Sequence, residues 1–401
     1  MSIRRNHLVL HLPPPCSGRA LRLPLSLFMI IIHKKKGGNM KALVVGGTGP
    51  TGPYIIKGLM ARGYEVAMFH RGSHELPENP PEIEHIHSDP HFRETLDEGL
   101  KGRDFDLVVA TYGRIRLVAE ALIGKTPRLI AVGGAVGYRG MVQPYANRPP
   151  GMPIPTREDA QRIASREEFE FGWLIRHTED VVMAQHAAGH YNATMFRYPM
   201  VYGPNSLRSL EWHIMKRVRD KRRQIILPEG GLTVLSRGYA ENMAHAVLLA
   251  TDKPEASAGK IYNCADEQGM TVAHWVQMIA RAMDWEFEIC SLPGQFAYSA
   301  GDFLLYHNSV HHQIMDTAAI RQDLGYRDVV PMQEAIALTV QWMQQHRPDA
   351  APLDYTLEDR LLAVYNETKE RLQNIPFTPA PVHHSYAHPK KPGEGRDHRN
   401  R

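Results

Sequence analysis

The sequence predicts an α/β fold built around a doubly wound parallel sheet. Short apolar, β-branched runs alternate along the chain with segments of helical spacing, which is the pattern of strands joined by crossover helices. The first run, residues 42–45, enters a glycine-rich turn, and residues 54–62 then carry apolar side chains at helical spacing. A second run at 66–69 completes a strand–helix–strand unit. Near-continuous apolar runs are what a parallel sheet requires, because its strands are buried on both faces.

The later strands and helices continue this alternation. Further strands are predicted at residues 83–87, 105–110, 128–132, 193–196 and 260–264. Further helices are predicted at residues 115–123, 167–188, 210–218, 239–250, 272–283, 332–346 and 358–372. Doubly wound sheets bind their ligands at the carboxyl ends of the strands. In this chain those ends are Gly46, His70, Asp89, Thr111 and Gly133.

The glycine-rich turn carries the clearest functional signal. Gly46, Gly49 and Gly52 lack a Cβ, so the backbone can turn tightly and phosphates can approach its N–H groups. The helix that follows brings its positive N-terminal end to the same position. Strand, turn, helix and second strand together predict a dinucleotide site. Its further members are Thr48, Pro50 and Thr51. An ATP-type loop is not predicted, because Ala119 stands where Gly124-Lys125-Thr126 would need an upstream glycine.

The composition is that of an ordinary soluble globular protein. The chain has 401 residues, of which 43% are hydrophobic and 22% charged, and a formal net charge of +4. That charge does not by itself indicate a nucleic-acid partner. The three cysteines have no paired spacing, which argues against a disulfide framework and favours a reducing compartment. We therefore expect a cytoplasmic protein that does not associate with membranes.

The two ends of the chain differ from the rest. Residues 1–39 contain an apolar stretch at 23–32 that is too short to span a bilayer, and Lys34-Lys35-Lys36 stands where a signal peptide would have its cleavage site. Because Met40 directly precedes the first strand, we hypothesise that translation starts there. Residues 376–401 are rich in proline, histidine and basic residues, and we expect a disordered tail.

Several later landmarks resemble one protein family. The segment Arg197-Tyr198-Pro199-Met200-Val201-Tyr202-Gly203-Pro204 is similar to the segment beside the nicotinamide in the short-chain dehydrogenase/reductase superfamily. Arg237, Ile261-Tyr262-Asn263 and Asp316…Leu324-Gly325 also fit its extended and atypical branches, the NAD-dependent epimerases and dehydratases. The resemblance covers about residues 40–345. It implies a Rossmann-type domain at 40–204 plus 237–265 and a smaller α/β substrate domain at 205–236 plus 266–375.

The sequence departs from the catalytic pattern of that family. The family has a serine or threonine at the end of the fifth strand, and a tyrosine followed four residues later by a lysine on the helix after the long loop. The aligned residues here are Gly134, Phe171 and Ile175, and shifting the helix by one residue gives Gly172 and Arg176. Phenylalanine cannot transfer a proton, so catalysis requires another group. The candidates are Tyr138, Tyr198 and Arg176.

The end of the second strand bears on the choice of dinucleotide. A carboxylate there selects NAD by binding the ribose 2′-OH, but this sequence has His70-Arg71. A guanidinium suits the 2′-phosphate, so NADP is favoured over NAD; the alternative for Arg71 is a solvated surface side chain. The resemblance further implies that Asp89 lies near the adenine, Pro199 beside the nicotinamide, and Arg237 on an anion of the substrate.

The predicted function is that of an NAD(P)-dependent oxidoreductase, epimerase or dehydratase. Its substrate is expected to be a polar small molecule that can carry an anion, and the chain can form a homodimer. The alternative is a non-catalytic NAD(P)-binding regulator or an RNA-binding protein, because residues 216–223 are rich in lysine and arginine. Aromatic side chains do not interleave with these charges, as they do in single-strand binders, so a nucleic-acid partner is not favoured.

A metal site is not predicted from the sequence. His307, His311, His312 and Asp316 have helical spacings, but the glutamate of the zinc-protease pattern is missing. Ordinary polar or substrate-lining histidines are the favoured interpretation. The histidines of the tail are expected to be solvated, namely His383, His384 and His388.

Overall fold

The computed structural model describes residues 40–206, 210–299, 310–346 and 352–376, together with residues 378 and 392. These residues belong to one compact unit, Asn39–Arg401. The predicted extension at 1–39, with the hypothesis of a start at Met40, and nearly all of the predicted tail lie outside the described residues. The division into a dinucleotide domain and a substrate domain remains a prediction.

The strands follow the predicted order along the chain. Their bounds are β1 Met40–Val45, β2 Tyr64–His70, β3 Glu84–His87, β4 Leu107–Ala110, β5 Arg128–Gly134, β6 Asn192–Tyr198, β7 Met200–Tyr202, β8 Gln224–Pro228, β9 Val234–Leu235, β10 Arg237–Tyr239, β11 Lys260–Asn263, β12 Met270–Thr271 and β13 Glu288–Leu292.

A seven-stranded parallel sheet forms the centre of the described residues. Its order is β3-β2-β1-β4-β5-β6-β11. The chain winds outward from β1 in one direction and from β4 in the other, so the predicted doubly wound α/β fold is confirmed. The carboxyl ends of β1 and β4 lie side by side where the winding reverses, which is the position at which such sheets bind ligands.

Helices connect the strands. Their bounds are α1 Gly52–Met60, α2 Arg93–Gly99, α3 Ile115–Ala121, α4 Glu170–Ala187, α5 Leu210–Arg219, α6 Ala240–Asp252, α7 Val272–Arg281, α8 Gly294–Ser299, α9 Ala318–Leu324, α10 Met332–Gln345 and α11 Thr356–Gln373. Among the described residues, none of these helices combines the length and the apolar character needed to cross a membrane.

The helices cover both faces of the central sheet because successive strand residues point to opposite sides. On one face, Ala42 and Val44 share a core cluster with residues of α1 and α6. On the other face, Leu43 and Val45 share a cluster with residues of α2, α3 and α4. All four side chains are essentially inaccessible to solvent, which explains why β1 reads as an unbroken apolar run.

A further core cluster lies outside the central sheet. Residues of α5, α7 and α10 pack around β8, which pairs in parallel with β13. Helix α11 contributes Leu362 to a small cluster with Ile226 of β8 and Cys290 of β13. Neither β8 nor β13 was predicted, because each is short and pairs with a strand distant in the chain.

Candidate functional site

The glycine-rich turn connects β1 to α1 at the carboxyl edge of the sheet. Gly52 is the first residue of α1, and a Cβ there would stand 2.2 Å from the carbonyl oxygen of Gly47. Only glycine therefore lets this turn close. A Cβ on Gly49, in contrast, would meet no atom within 4 Å. This side of the turn faces open space into which a ligand could come.

The N-terminus of α1 is suited to an anion. Its first turn contains no acidic residue, and Thr51 makes no capping hydrogen bond with its side chain. No carboxylate of the first turn of α1 itself therefore offsets the positive end of the helix dipole. The Thr111 hydroxyl, at the end of β4, donates to the carbonyl oxygen of Val45 at 3.3 Å. This geometry fits the predicted cofactor role of the turn, which includes Gly46, Thr48, Gly49, Pro50 and Gly52, but that role remains a prediction.

The end of β2 is surrounded by polar side chains. His70 is 4% exposed, and its Nε2 lies 3.0 Å from Nδ1 of His85. Burial first, and then the neighbouring rings of His85 and His87, lower the pKa of His70. Arg71 is exposed, and its Nη2 donates to the hydroxyl of Tyr112 at 3.2 Å. Because this partner is neutral, the contact does not cancel the positive charge.

Asp89 follows β3 and is held by the next turn of the chain. Its Oδ1 accepts the backbone N–H of His91 at 3.0 Å and lies 2.6 Å from Nδ1 of the same residue. Burial opposes the charge on Asp89, but the hydrogen bonds from His91 outweigh it and lower the pKa of the carboxyl. Asp89 is therefore a fixed carboxylate at neutral pH, and its position near the adenine remains a prediction.

A buried ion pair lies beneath the carboxyl ends of β5, β6 and β11. Arg197 of β6 donates to both carboxylate oxygens of Glu179 on α4, at 2.7 and 2.8 Å. Its Nη1 donates to the hydroxyl of Tyr138 at 2.6 Å, and that hydroxyl donates to Oδ1 of Asn263 at 2.7 Å. The side chains of Arg197 and Glu179 are 4% and 1% exposed. We name these four residues the Arg197 network.

The Arg197 network fastens the long loop at residues 139–165. Arg197 Nη1 also donates to the carbonyl oxygen of Glu158 at 2.8 Å. Asn263 donates twice more to this loop, from its backbone N–H to the Glu158 carboxylate at 3.1 Å and from Nδ2 to the carbonyl oxygen of Thr156 at 2.8 Å. The loop is therefore tied to the carboxyl edge of the sheet through the side chains that support it.

Tyr138 borders a cavity but already has two hydrogen-bond partners. The cavity, of about 580 Å³, is lined by Tyr138 and by loop residues that include Asn147, Met152 and Thr156. The Tyr138 side chain is nevertheless only 1% exposed. Burial raises the pKa of its hydroxyl, although the charge and hydrogen bond of Arg197 act in the opposite direction. The predicted catalytic role of Tyr138 remains a prediction, and it would be that of a neutral phenol.

Tyr198 lies in the core, which argues against its predicted catalytic role. Its hydroxyl donates to the carbonyl oxygen of Met243 on α6 at 2.7 Å, and its side chain is 8% exposed. Burial raises the pKa of this hydroxyl well above its usual value. Because Phe196 and Tyr198 are two residues apart on β6, both fall on the face covered by α6. The contacts of Tyr198 are those of a packing residue, and its catalytic role stays an untested prediction.

Arg176 is likewise engaged in fixing structure. Its Nη1 donates to the carbonyl oxygens of Ile163 and Ala164, both at 2.9 Å, and its Nε lies 3.3 Å from Asp180. The side chain thus fastens the end of the long loop to α4. An always-charged guanidinium with these partners is a poor proton donor, and the catalytic role of Arg176 stays an untested prediction.

The aligned positions of the family's tyrosine and lysine carry apolar side chains on α4. Phe171 is 56% exposed. Cγ2 of Ile175 lies 3.8 and 3.4 Å from the positions that Cβ atoms on Gly133 and Gly137 would take, so Ile175 packs on the end of β5. Pro199 directly follows β6 and is buried. The predicted cofactor roles of Gly133 and Pro199 at this edge are not tested by these contacts.

Arg237 is already paired with an internal carboxylate. Its Nη2 donates to Oε1 of Glu211 at 2.5 Å, and its Nε donates to the carbonyl oxygen of Met200 at 3.1 Å. The guanidinium carbon stands 4.6 Å from the ring centre of Trp275. Arg237 and Glu211 are 3% and 1% exposed. This pairing argues against the predicted role of Arg237 as an open site for a substrate anion; sequence reasoning missed Glu211.

Asp266 is a buried carboxylate that sequence reasoning also missed. It accepts the backbone N–H of Tyr239 at 3.0 Å, the hydroxyl of Tyr202 at 2.9 Å and Nδ2 of Asn242 at 3.0 Å. Burial outweighs these bonds and raises the pKa of Asp266 to about 6. The sequence offers one indication of this residue, which is its position three residues after the end of β11.

We expect Asp266 to make the stability of the protein depend on pH. A carboxyl whose pKa is raised on folding stabilises the folded state fully below its unfolded pKa near 4, and this contribution is lost as the pH rises through about 6. The expected loss is about 3 kcal/mol, from 1.36 kcal/mol per pKa unit. Urea unfolding at pH 4 to 7 should show that Asp266→Asn removes this component. Equal pH dependence in wild type and variant would contradict the prediction.

Among the described residues, His311, His312 and Asp316 of the group considered for a metal site each have separate neighbours. His312 Nδ1 accepts the backbone N–H of Val234 at 3.0 Å, and Asp316 accepts the backbone N–H of Ala318 at 2.8 Å. The His311 ring lies near Gly151, while His307 and the tail histidines are outside the described residues. Within the part of the chain that the structure describes, the group with metal-ligand spacing is a different one, formed by His70, Glu75, His85 and His87.

Comparison with known proteins agrees with the fold and the motifs. Residues 143–265 match the NAD dependent epimerase/dehydratase family. The structure is similar to that of a UDP-glucose 4-epimerase from Thermotoga maritima, with a TM-score of 0.63 and 17% identity over 77% of this chain and 100% of that one. It is also similar to a UDP-glucuronic acid 4-epimerase from Bacillus cereus in complex with NAD, with a TM-score of 0.60 and 15% identity over 77% and 100%. At this identity the likeness shows the fold.

The relatives found by sequence differ in their described functions more than the two epimerase structures do. The uncharacterised protein YbjS of Escherichia coli is 26% identical over 140 residues, which are 30% of this chain and 42% of that protein. The chloroplast stem-loop binding protein of 41 kDa b of Arabidopsis thaliana is 22% identical over 63% of this chain and 67% of its own length. A 3-diazoavenalumate denitrifying reductase of a Streptomyces species is 24% identical over 61% and 82%. The match therefore spans about two fifths of YbjS and most of the reductase.

Proposed function

We propose that this chain, which belongs to the NAD-dependent epimerase/dehydratase family, is a nicotinamide-dependent oxidoreductase acting on a polar small molecule. The observation that carries the proposal is the turn from β1 to α1. Its backbone closes only with glycine at position 52, while its Gly49 side is open. This open side, the start of α1 and the reversal between β1 and β4 coincide at one edge of the sheet. The structurally similar epimerases with bound NAD support the choice of ligand.

We further propose that NADP is preferred over NAD. Arg71 is exposed at the end of β2 and keeps its charge beside the neutral hydroxyl of Tyr112. The geometry of a guanidinium matches a phosphate monoester. The carboxylate of Asp89, which follows the next strand, β3, is held by hydrogen bonds from His91.

The proposed chemistry proceeds without the usual Ser-Tyr-Lys set. A bound nicotinamide would supply or accept the hydride. The chain must then provide the proton for the substrate oxygen, and Phe171 cannot do so. Tyr138 remains the proposed donor because it borders the 580 Å³ cavity that the long loop lines. Arg197 and Asn263 fix the position of its hydroxyl.

Dinucleotide binding by the Gly49→Val variant tests the central proposal. A valine side chain at this position meets no protein atom at its Cβ, so we expect unchanged folding and a loss of measurable NADPH binding by fluorescence titration. Glu65→Val, exposed near the start of β2 at the opposite edge of the sheet, is the matched control. Arg71→Ala should weaken NADPH binding roughly tenfold and leave NADH unchanged, whereas Arg93→Ala on α2 should change neither.

Three outcomes would count against the proposal. Undiminished NADPH binding by a folded Gly49→Val variant would remove the turn from the site. Absence of binding of either dinucleotide to the wild type would overturn the proposed function as a whole. If Arg71→Ala weakened the binding of NADPH and NADH equally, the proposed NADP preference would be overturned. The proposed oxidoreductase function would not be affected.

A second candidate function is suggested by the stem-loop binding relative. The basic residues of α5 and the following loop would be the contact surface for RNA. Several of them are paired, however: Lys216 with Asp220, Arg217 with Glu358 and Arg222 with Asp359 of α11. An RNA-binding role requires affinity that falls steeply with salt. A salt titration with a stem-loop RNA, in parallel with the NADPH titration, separates the two functions.

A further inference from the structure

Three histidines and a glutamate meet at the carboxyl ends of β2 and β3. One ligand atom of each of His70, Glu75, His85 and His87 lies within 4.8 Å of the corresponding atom of every other. Three of the six pairs are His70 Nε2 with His85 Nδ1 at 3.0 Å, His87 Nε2 with a Glu75 oxygen at 3.3 Å, and His85 Nδ1 with the same oxygen at 3.6 Å. We name these four residues the His–Glu cluster.

The strand register assembles this cluster. β2 and β3 run parallel, and His70 pairs with His87. Paired residues of adjacent strands point to the same face of the sheet, and His85 follows that face because it is two residues before His87. The loop after β2 then brings Glu75 onto the three rings. Three separate parts of the backbone thus converge on one point, and the cluster is independent of the glycine-rich turn.

We propose that the His–Glu cluster binds a zinc ion. Imidazole nitrogens and a carboxylate oxygen are ligands that Zn²⁺ accepts, and zinc is usually four-coordinate and tetrahedral. Zinc–ligand bonds of about 2.0–2.1 Å place tetrahedral ligand atoms roughly 3.3 Å apart. Three of the contacts, 3.0, 3.3 and 3.6 Å, bracket this spacing, and every pair lies within 4.8 Å. The four side chains therefore need little movement to close around the ion.

The cluster is also open to entry of the ion. The side chains of His87 and Glu75 are each 56% exposed, and that of His85 is 26% exposed, whereas His70 is buried at the base. An ion can therefore arrive from solvent through the two exposed ligands and complete its coordination on the buried ring. The cluster therefore combines one buried ligand with two ligands that solvent can reach.

Binding requires one change of tautomer. His70 Nδ1 accepts the backbone N–H of Gly72 at 3.3 Å, so the proton of a neutral ring lies on Nε2 and is directed at His85. Coordination through Nε2 moves this proton to Nδ1, and the Gly72 contact opens. Because that contact is at the long end of hydrogen-bond distances, its loss costs little. No net proton has to leave the neutral ring.

A bound zinc ion would fasten the loop after β2 to the edge strand β3. Glu75 comes from that loop, and two of the three histidines come from β3. In the described residues β3 is the last strand of the sheet on this side. The ion would thereby hold the backbone on either side of Arg71, at the end of β2, without contacting the dinucleotide turn.

Calorimetric titration of chelator-treated full-length protein with ZnCl₂ tests the site. We expect one equivalent of zinc per chain and a melting temperature raised by about 2 °C or more at saturation. Cobalt(II) in place of zinc should give the strong visible absorption of tetrahedral coordination. His85→Gln/His87→Gln should lose all three signals. His87 is exposed and His85 is partly exposed, so this variant should melt like the metal-free wild type.

The tail supplies the matched control. His383→Gln/His384→Gln/His388→Gln removes three histidines outside the cluster and should keep the equivalent of zinc and its spectrum. Loss of zinc in the tail variant, or retention in the His85→Gln/His87→Gln variant, would overturn the proposal. So would weak binding of several equivalents by the wild type without a change in melting temperature. The backbone amide resonance of Gly72 should shift on binding, which a distant zinc site would not produce.

Discussion

Replacing Glu179 by glutamine is expected to lower the free energy of unfolding by about 3–5 kcal/mol, the usual cost of removing one partner of a buried ion pair. The carboxylate of Glu179 accepts hydrogen bonds from Nε and Nη2 of Arg197 in an environment with almost no solvent access. Burial acts against the charge of Arg197, but Glu179 outweighs it and raises the pKa of the guanidinium. With glutamine in its place, a charged arginine would remain buried against an amide that offers one acceptor instead of two. Urea unfolding followed by circular dichroism measures the difference.

The next residue on α4 provides the control. Asp180 contacts Arg162 and Arg176, but its side chain is 42% exposed. Asp180→Asn should therefore change stability by no more than about 1 kcal/mol, as exposed ion pairs do. Equal effects of the two substitutions would show that burial does not govern the Glu179–Arg197 pair. Limited proteolysis adds a second readout, since Glu179→Gln should expose residues 139–165, which the Arg197 network fastens.

Replacing Gly52 by alanine is the second substitution for which we expect a large effect, on both stability and NADPH binding. The new Cβ would stand 2.2 Å from the carbonyl oxygen of Gly47 and 2.4 Å from its carbonyl carbon. Backbone atoms cannot move away as a flexible side chain would, so the turn or the start of α1 must shift. We expect a loss of about 1–3 kcal/mol of stability, as for overpacked interiors. NADPH binding should weaken roughly tenfold or more, which corresponds to about 1.4 kcal/mol.

Gly49→Ala is the matched substitution within the same turn. Its Cβ meets no protein atom within 4 Å, so the protein should remain as stable as the wild type. Thermal unfolding should therefore find Gly52→Ala less stable than Gly49→Ala. Fluorescence titration should likewise find that Gly52→Ala binds NADPH more weakly than Gly49→Ala. A stable Gly52→Ala variant with full NADPH affinity would show that the turn closes differently from the structure described above.

The sequence was sufficient to predict the features that depend on local pattern. Apolar runs located the strands of the central sheet, and the glycine spacing located the turn at Gly46–Gly52. Period-two alternation along β6 could also have placed Tyr198, because Phe196 shares its face. The resemblance to a nicotinamide segment directed attention to the sequence position of Tyr198 instead of its orientation.

The remaining features depend on contacts that no local pattern encodes. Glu211 lies on a helix that reads as basic, yet it pairs with Arg237 from a strand that follows later. The His–Glu cluster needs the register of β2 against β3, and parallel register cannot be read from either strand alone. The short helix α2 buries Leu96 alone among its own residues, which is too little periodicity for a prediction.

The Glu211–Arg237 pair also bears on what the protein can accept as a substrate. An anion that approached Arg237 would compete with a carboxylate attached to the same fold, and such a tethered competitor acts at an effective concentration in roughly the millimolar range or above. An anion could bind Arg237 only by displacing Glu211 from the guanidinium. A ligand recognised there through hydroxyl or amide groups would not have to displace Glu211.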